Sequence, residues 1–355
     1  MLLPDVHGIL SADQIALTAE TIVDLQLRSG MIPWFDGGHA DPWNHVEAAM
    51  ALDTAGHHVE ASAAYQWLAD NQRADGSWHQ YYLTDRVEQD KLDANCVAYV
   101  ATGVWHHHLI TRDGGFLERF WPVVDRAIEF VLDLQTPRGE ILWARHADGT
   151  PWSFALLTGS SSICHSLRSG LAIADHLGIA KPDWEISAAM LGRVIRDHPE
   201  AFAPKDRWAM DWYYPVLSGA LDADTCRDRL GAQADVFVMP GIGVRCVSDK
   251  QWVTAAETCE CAIAYLAAGD TGTALAMFEW AQSLRCDDGR YITGMVHPEG
   301  QTFPADERSS YTAAAVILAA DALTGTTPAS GLLADHRVLP ALVDLPDHVD
   351  EPSLD

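Results

Sequence analysis

Two kinds of helical segment alternate along this 355-residue chain. One kind has apolar residues at helical spacing with polar residues between them, as in AYQWLADNQ and AIEFVLDLQ, which predicts an amphipathic helix. The other kind is small and apolar on nearly every side, which is typical of a helix that is buried all round. The buried kind occurs six times, as DPWNHVEAAMAL, LDANCVAYVATG, SSICHSLRSGLAIA, DWYYPVLSGAL, TAAETCECAIAYLAAG and SSYTAAAVILAADAL.

A recurring turn follows the amphipathic segments. Each copy combines a helix end, a turn that contains glycine and a short extended piece, at residues 24–34, 70–80, 133–145 and 283–294, with a degenerate copy at 231–246. Repetition of this kind indicates one supersecondary unit used several times. We therefore predict an all-α fold, an (α/α)6 toroid with an inner and an outer ring, whose hairpins span 11–55, 58–112, 115–178, 183–220, 221–269 and 270–324.

The repeat pattern stops near residue 325, which sets the predicted domain organisation. Residues 1–325 form the toroid domain, and residues 326–355 form an acidic, irregular C-terminal tail. The tail contains TPASG and the acidic VDLPDHVDEPSLD, and it lacks the repeat pattern. We expect this tail to wrap the surface or to be partly disordered.

Charge and hydropathy exclude several classes of partner. The net charge is −27, from 50 acidic and 23 basic residues, and such a field repels nucleic acid and anionic membrane surfaces. No apolar run approaches the roughly 18 to 20 residues of a membrane span, and the N-terminus lacks the pattern of a secretory leader. The seven cysteines are odd in number and scattered along apolar segments, as reduced thiols are. We expect a cytoplasmic protein that contacts neither membrane nor nucleic acid.

Polar and aromatic residues concentrate where the inner helices begin. In a ring of hairpins these starts gather at one face, so their side chains converge on a funnel. Tryptophan faces stack on sugar rings while acids, amides and histidines bind hydroxyls, which predicts an oligosaccharide or polysaccharide ligand. Alternatively, the tryptophans seal the toroid face by packing. The candidate binding residues are Trp34, Asp36, His39, Asp41, Trp43, Trp78, Asp93, Asn95, Trp143, His165, Asp211, Trp212, Tyr213, Trp252 and Tyr311.

Two glutamates are the best candidates for acid–base chemistry. The first and fifth repeats align without a gap, VEAAMALDTAG (46–56) on CECAIAYLAAG (259–269), which places Glu47 on Glu260. Glycoside hydrolysis needs one protonated and one ionised carboxyl group, and an apolar setting raises the pKa of a carboxyl. Glu257, one turn before Glu260, is a rival or a partner. The alternative is that these carboxylates brace neighbouring loops.

Several candidates also fit structural roles. Asp41 precedes Pro42 and suits a helix N-cap, and Asp93 and Asp211 share that ambiguity. Asn95 aligns with Glu47 in the second repeat, and both it and His165 fit either hydroxyl binding or a satisfied core position. The consecutive histidines at 106–108 point in different directions, so we expect no metal and no cofactor.

Two superfamilies share this toroid, and the chain carries motifs of both. The turn NQRADGSW (71–78) resembles the terpenoid cyclase and protein prenyltransferase group, but the cyclase DxDD motif and the prenyltransferase zinc set of Asp, Cys and His are absent. The segment PWFDGGHADPWNHVE and the paired glutamates resemble the six-hairpin glycosidases. Within that group, residues 1–325 are similar to the actinobacterial endo-α-mannosidases of intracellular 3-O-methylmannose polysaccharide. That resemblance implies hydrolysis of internal α-(1→4)-mannosidic bonds without a metal.

The sequence thus predicts a glycoside hydrolase that cleaves α-mannosidic or related α-glycosidic bonds of an intracellular polysaccharide, endo-acting and inverting. One alternative is a terpenoid cyclase or prenyltransferase-like enzyme, which would need cations such as Arg86, Lys91, Arg145 and Arg245 to bind diphosphate. A second alternative is a non-catalytic carbohydrate-binding toroid, and a third is a sugar isomerase or epimerase with paired histidines. The sequence is also compatible with a homo-oligomer.

Overall fold

The computed structural model describes residues 2–345 of the chain. Twelve helices form six consecutive hairpins that coincide with the six predicted from the repeats. The helices are α1 Ala12–Leu25, α2 Pro42–Thr54, α3 His58–Asn71, α4 Ala94–Thr111, α5 Gly114–Leu132, α6 Leu157–His176, α7 Pro182–Asp197, α8 Ala209–Leu217, α9 Ala223–Phe237, α10 Ala255–Ala267, α11 Thr271–Ala281 and α12 Ser310–Thr324.

The even-numbered helices form a closed inner ring. Each contacts the next, from α2 through α4, α6, α8 and α10 to α12, and α12 packs back against α2. The odd-numbered helices pack outside them, and α1 also contacts α12. In α4 every residue from Ala94 to Leu109 is buried, as an inner position requires. The predicted (α/α)6 toroid is confirmed.

The glycine of the repeated turn marks a close contact between adjacent hairpins. Gly76 has a φ of +89°, and a Cβ added there would lie 2.1 Å from the carbonyl oxygen of Arg126 in α5. Gly289, with a φ of +87°, lies in the same way against Leu17 of α1. Since α1 belongs to the first hairpin and Gly289 to the sixth, this contact closes the ring.

A glutamine four residues before the glycine bonds both sides of this contact. The Gln72 side-chain amide donates to the carbonyl oxygen of Gly76 at 2.9 Å and to that of Val123 in α5 at 2.9 Å. Gln26 and Gln135 make the equivalent pairs of bonds, each to the glycine of its own turn and to the outer helix of the next hairpin. The motif therefore fixes each of the first three hairpins relative to the next one, and the Gly289 contact fixes the sixth relative to the first.

Short strands join the helices at the face where the inner helices begin, and an all-α prediction does not contain them. They are β1 Tyr81–Tyr82, β2 Val87–Gln89, β3 Leu92–Asp93, β4 Ala144–Arg145, β5 Val238–Met239, β6 Gly243–Arg245, β7 Trp252–Thr254, β8 Gly294–Val296 and β9 Gln301–Thr302. The last five form an antiparallel sheet in the order β5-β6-β7-β8-β9. Strands of two or three residues are too short to show an alternating pattern.

The chain after α12 fills the end of the toroid opposite the starts of the inner helices. Residues 327–340, here called the plug, contain neither helix nor strand, yet they bury four apolar side chains, Ala329, Leu332, Ala334 and Leu339. Trp105 and Arg168, in the later turns of α4 and α6, donate to the backbone carbonyls of Val338 and Pro340. The surface-wrapping or partly disordered tail expected here is therefore a packed segment up to residue 340. Its acidic end, residues 346–355, lies outside the described residues.

None of the helices between residues 2 and 345 combines the length and the apolar character needed to cross a membrane.

We expect Gly76→Ala to lower the free energy of unfolding by roughly 3 kcal/mol, because the added Cβ meets the backbone of α5 at a φ that alanine disfavours. Gly231→Ala is the matched control. Gly231 lies inside α9 with nothing within 4 Å of an added Cβ, so that substitution should change stability by no more than about 1 kcal/mol. Thermal and urea denaturation of both variants measure the difference. Equal stability of the two would contradict the proposed contact.

Candidate active site

The sixth residues of the six inner helices line one cavity on the ring axis. Because each helix begins at the same level, counting six residues from the start of α2, α4, α6, α8, α10 and α12 reaches the same depth. These residues, here called the sixth-residue ring, all belong to the cavity lining, and they are Glu47, Tyr99, Ser162, Tyr214, Glu260 and Ala315.

The alignment of Glu47 with Glu260 therefore agrees with their positions in the structure. The alignment of Asn95 with Glu47 does not, since Asn95 is the second residue of α4 and Tyr99 is the sixth. The chain before α4 forms the short strands β2 and β3 instead of starting the helix near residue 90. Asn95 thus lies one turn nearer the helix start than expected.

An apolar layer lies below the ring. The ninth residues of three inner helices, Leu217, Ile263 and Leu318, and Leu333 of the plug form this part of the lining. The cavity leaves about 20 Å³ open to the centre of a water molecule, which is room for one water. In the described part of the chain the buried hydroxyl of Ser162 has no hydrogen-bond partner. The floor of the cavity is therefore mainly apolar, and His165, the ninth residue of α6, is the polar side chain at that level of the lining.

Glu47 is buried, with 7% of its surface exposed. The Tyr99 hydroxyl donates to its Oε1 at 3.3 Å. One turn earlier, the Trp43 ring packs edge-on against Tyr99 and Tyr214, with centroids 5.8 Å apart in both pairs. Burial raises the pKa of Glu47 to about 8, the Tyr99 hydrogen bond lowers this pKa, and the nearby Asp41 carboxylate raises it. Burial therefore favours the protonated form of Glu47.

Glu260 is half-buried and accepts two tyrosine hydroxyls. Tyr213 donates to its Oε2, and Tyr214 donates to its Oε1 at 3.3 Å. Burial raises the pKa of Glu260 well above its ordinary value, the charge of Glu47 raises it further, and the two tyrosine hydrogen bonds lower it. Each glutamate thus opposes ionisation of the other, so the pair titrates as a unit.

Glu257 lies one turn nearer the mouth, in the first turn of α10. It accepts a hydrogen bond from Thr254, whose hydroxyl also caps the helix. Its side chain is half-buried and is not part of the cavity lining that contains Glu47 and Glu260. The structure therefore separates this third carboxylate from the central pair by one helical turn.

Aromatic side chains form the mouth above the ring. Trp34 packs edge-on against Tyr81 and Tyr311, with centroids 5.8 Å and 5.0 Å away. His39 stacks on Tyr81 at 4.2 Å, while Asp36 beside it is exposed. Four of the predicted binding residues at this level are partly exposed, and they are Trp34, Trp43, Trp143 and Tyr311. A fifth, Asn95, is buried and lies one turn above the ring.

The Trp143 ring lies on another part of the mouth, within a second aromatic group. The Lys91 ammonium lies 3.9 Å from its centroid, and Trp152 packs edge-on at 4.6 Å. Lys91 also pairs with Asp93 at 3.5 Å. A cation held between a ring and a carboxylate fixes the orientation of all three groups.

The three aspartates cap helices. Asp41 accepts the Asn44 backbone N–H at 3.0 Å and the Trp34 indole N–H at 2.6 Å. Asp93 accepts the Asn95 backbone N–H at 3.0 Å. Asp211, on α8, accepts from the backbone and hydroxyl of Thr158 and so caps α6, whose own cap residue has no side-chain oxygen. Capping explains their bonds to backbone N–H groups, and Asp41 and Asp93 also hold Trp34 and Lys91 at the mouth.

The structure contradicts two of the predicted binding residues and places a third, His165, below the ring. Trp78 is 1% exposed and donates to the carbonyl of Leu68, and Trp212 is 2% exposed and donates to that of Arg229, so both are core residues. His165 is one turn below the ring, between the Thr102 hydroxyl at 3.3 Å and the Leu332 carbonyl at 2.8 Å. Both of its ring nitrogens are occupied, so His165 holds the plug while it lines the cavity beneath the ring.

Sequence reasoning missed Tyr99, Tyr214 and Ser162. Apolar-looking tyrosines in a buried helix read as core residues, and nothing in the local pattern distinguishes Tyr214 from Tyr213. Counting from the helix cap would have identified all three, because each is the sixth residue after a cap at Asp93, Trp208 or Leu156.

We expect Glu47→Gln to raise thermal stability above neutral pH. The fold favours protonated Glu47 and the unfolded chain ionises it above about 4.5, so its contribution to stability is complete below pH 4.5 and is lost as pH rises through about 8. The melting temperature of the wild type should therefore fall more steeply from pH 5 to 8 than that of the variant. Glu118→Gln, at an exposed position on α5, is the control and should follow the wild type. Parallel curves for Glu47→Gln and the wild type would refute the burial effect.

No family model matches the chain. A curated relative, the MMP endo-(1,4)-3-O-methyl-alpha-D-mannosidase of Mycolicibacterium hassiacum, is 51% identical over 329 residues, which cover 93% of this chain and 91% of the relative. The alignment therefore spans nearly the whole of both proteins.

Solved structures share the fold at low identity. A wild-type glycosidase matches with a TM-score of 0.71 and 14% identity, over 88% of this chain and 96% of that one. The GH63 mannosylglycerate hydrolase of Thermus thermophilus matches with a TM-score of 0.67 and 10% identity, over 85% and 99%. A D-mannose isomerase matches with a TM-score of 0.65 and 11% identity, over 87% and 96%. The 51% identity to the mannosidase shows that the chain belongs to the same family of glycoside hydrolases.

Proposed function

We propose that the chain hydrolyses internal α-(1→4)-mannosidic bonds of a 3-O-methylmannose polysaccharide, with inversion, using Glu47 as general acid and Glu260 as general base. The observation that carries the proposal is the convergence of these two glutamates on one cavity beneath an aromatic mouth. The relative's printed name, an endo-(1,4)-3-O-methyl-alpha-D-mannosidase, supplies the substrate class.

The assignment of roles rests on hydrogen-bond donors. Glu260 accepts two tyrosine hydroxyls and Glu47 accepts one. Donors stabilise the ionised form of a carboxyl, so the shared proton favours Glu47, which is also the more buried of the two. A protonated Glu47 can give its proton to the leaving oxygen, and an ionised Glu260 can take one from the attacking water.

The mouth suits a methylated sugar polymer. The tryptophan faces at positions 34, 43 and 143 offer apolar surface to pyranose rings and to methyl ethers, while amide and carboxyl groups are available to hydroxyls. An uncharged polymer also experiences no repulsion from a chain of net charge −27. We place the reaction in the cytoplasm, where the seven cysteines would persist as the free thiols that they are in the structure.

The alternative activities fit these contacts less well. A sugar isomerase would need paired histidines beside the reacting sugar, but the histidine in the lining of the Glu47–Glu260 cavity is His165, whose ring nitrogens are occupied by neighbouring groups. A prenyl diphosphate would meet the charge of the Glu47–Glu260 pair. A non-catalytic sugar-binding toroid gives no reason to bury two opposed carboxyl groups, which costs stability.

We expect Glu47→Gln and Glu260→Gln each to slow polysaccharide hydrolysis by roughly 100- to 10,000-fold, since each removes one proton-transfer step. Reducing-end assays measure the rate, and circular dichroism verifies that the fold is intact. Glu118→Gln serves as the control with full activity. Wild-type activity in either active-site variant would exclude that residue from the chemistry. Proton NMR of the first product should show the β anomer, and an initial α anomer would rule out inversion.

We expect Tyr213→Phe to move the acidic limb of the kcat/KM profile to higher pH by roughly half a unit to one unit. Loss of the hydroxyl donor destabilises ionised Glu260 and raises its pKa, so the base loses its proton only at a higher pH. Tyr65→Phe, which removes a buried hydroxyl bonded to the Gly103 carbonyl away from the site, is the matched control. A shift of the alkaline limb alone would reverse the two glutamate assignments.

A further inference from the structure

A second depression lies beside the mouth, between the chain segments that lead into α8, α10 and α12. We call it the rim groove. It has a volume of about 560 Å³, within the range of small-molecule sites, and the residues of its lining used below are Arg207, Trp208, Asp249, Lys250, Trp252, Glu299 and Phe303.

Exposed aromatic surface distinguishes the rim groove. Trp208 is 41% exposed and Phe303 is 54% exposed, whereas the other exposed large apolar residues between positions 2 and 345 are aliphatic. Exposure of an apolar ring to water is unfavourable compared with its burial, so an exposed pair in a concave site indicates a ligand with apolar faces.

Neighbouring side chains hold both rings in place. Trp252 packs edge-on against Phe303 with centroids 5.1 Å apart, and its indole N–H donates to the Phe303 carbonyl at 2.9 Å. Across the groove the Arg207 guanidinium lies 5.2 Å from the Trp208 ring and pairs with Asp249 at 2.9 Å. The rings of Trp208 and Phe303, here called the platforms, are therefore in place before any ligand binds.

The groove lies on the side of the mouth above Glu260. Trp208 is the residue before α8, the helix of Tyr213 and Tyr214. Trp252 begins β7, which runs directly into α10, the helix of Glu257 and Glu260. A ligand chain that leaves the cavity on this side would meet the rim groove next.

We propose that the rim groove is a distal saccharide subsite, which binds sugar units of the substrate chain several residues away from the cleaved bond. Its fixed aromatic faces suit pyranose rings and methyl ethers, while the flanking polar side chains can bind hydroxyls. Its charges, Arg207 and Lys250 against Asp249 and Glu299, balance, which matches an uncharged ligand. This inference rests on the proposed polysaccharide hydrolysis and adds where the rest of the polymer binds.

A distal subsite makes catalytic efficiency depend on chain length. Only a substrate long enough to reach the platforms gains their binding energy, so long chains should be preferred over the shortest chain that is cleaved. Removal of one platform should reduce that preference and should not alter the proton-transfer groups.

The test compares kcat/KM for the polysaccharide with kcat/KM for the shortest cleaved oligosaccharide, in the full-length wild type and in the variants Trp208→Ala and Phe303→Ala. We expect each variant to lower the ratio of the two values by roughly 5- to 10-fold, chiefly through KM for the polysaccharide. Ile186→Ala, at a 49% exposed position on the outer helix α7, is the control and should keep the wild-type ratio. Melting temperatures of all variants show whether the fold is retained.

The outcomes separate this inference from the proposed function. If the wild type releases no reducing ends from either substrate, the proposed function fails. If the wild type cleaves both substrates and the two groove variants keep its ratio, the distal subsite is refuted while the hydrolase stands. An equal loss on long and short substrates also refutes the subsite, because it would show an effect on the central cavity.

Discussion

Contact between each repeated turn and the next outer helix is the constraint on which the rest of the structure depends. At Gly76 and Gly289 only a hydrogen fits against the neighbouring backbone, so adjacent hairpins have one relative position. Gly289 applies the same constraint between the last hairpin and α1. The six inner helices of the closed ring begin at one level, and their sixth residues meet on the axis. The site is thus a consequence of how the ring closes.

The sixth-residue ring contains two carboxyl groups in a buried setting, where an ionised carboxylate is unfavourable. Burial and mutual repulsion raise the pKa of both Glu47 and Glu260, and three tyrosine hydroxyls lower it again. Burying such a pair costs stability, and enzymes commonly accept that cost where one acid must keep its proton beside an ionised base. The fold therefore loses stability at the two carboxyl groups to which we assign the acid–base chemistry.

The parts of this molecule that the sequence predicted are those set by periodicity. Alternating amphipathic and buried segments indicated all six hairpins, and the gap-free alignment of the first and fifth repeats placed Glu47 on Glu260. Side chains whose role depends on contacts between distant segments were not predictable. Trp78 and Trp212 resembled mouth residues but pack in the core, while Tyr99 and Tyr214 resembled core residues but hold the glutamates. The local pattern predicts which segments are helices, but it does not predict which neighbours an aromatic side chain contacts.

The plug links the end of the chain to the chemistry at the axis. Without residues 327–340, the layer of Leu217, Ile263 and Leu318 beneath the glutamates would be open to water from the opposite end. Water there would restore the solvation that burial removes, and the raised pKa of Glu47 depends on that removal. His165 fixes the plug by donating to Leu332, one turn below the sixth-residue ring. His165, which lines the same cavity one turn below the ring, thereby helps to maintain the burial on which the raised pKa of Glu47 depends.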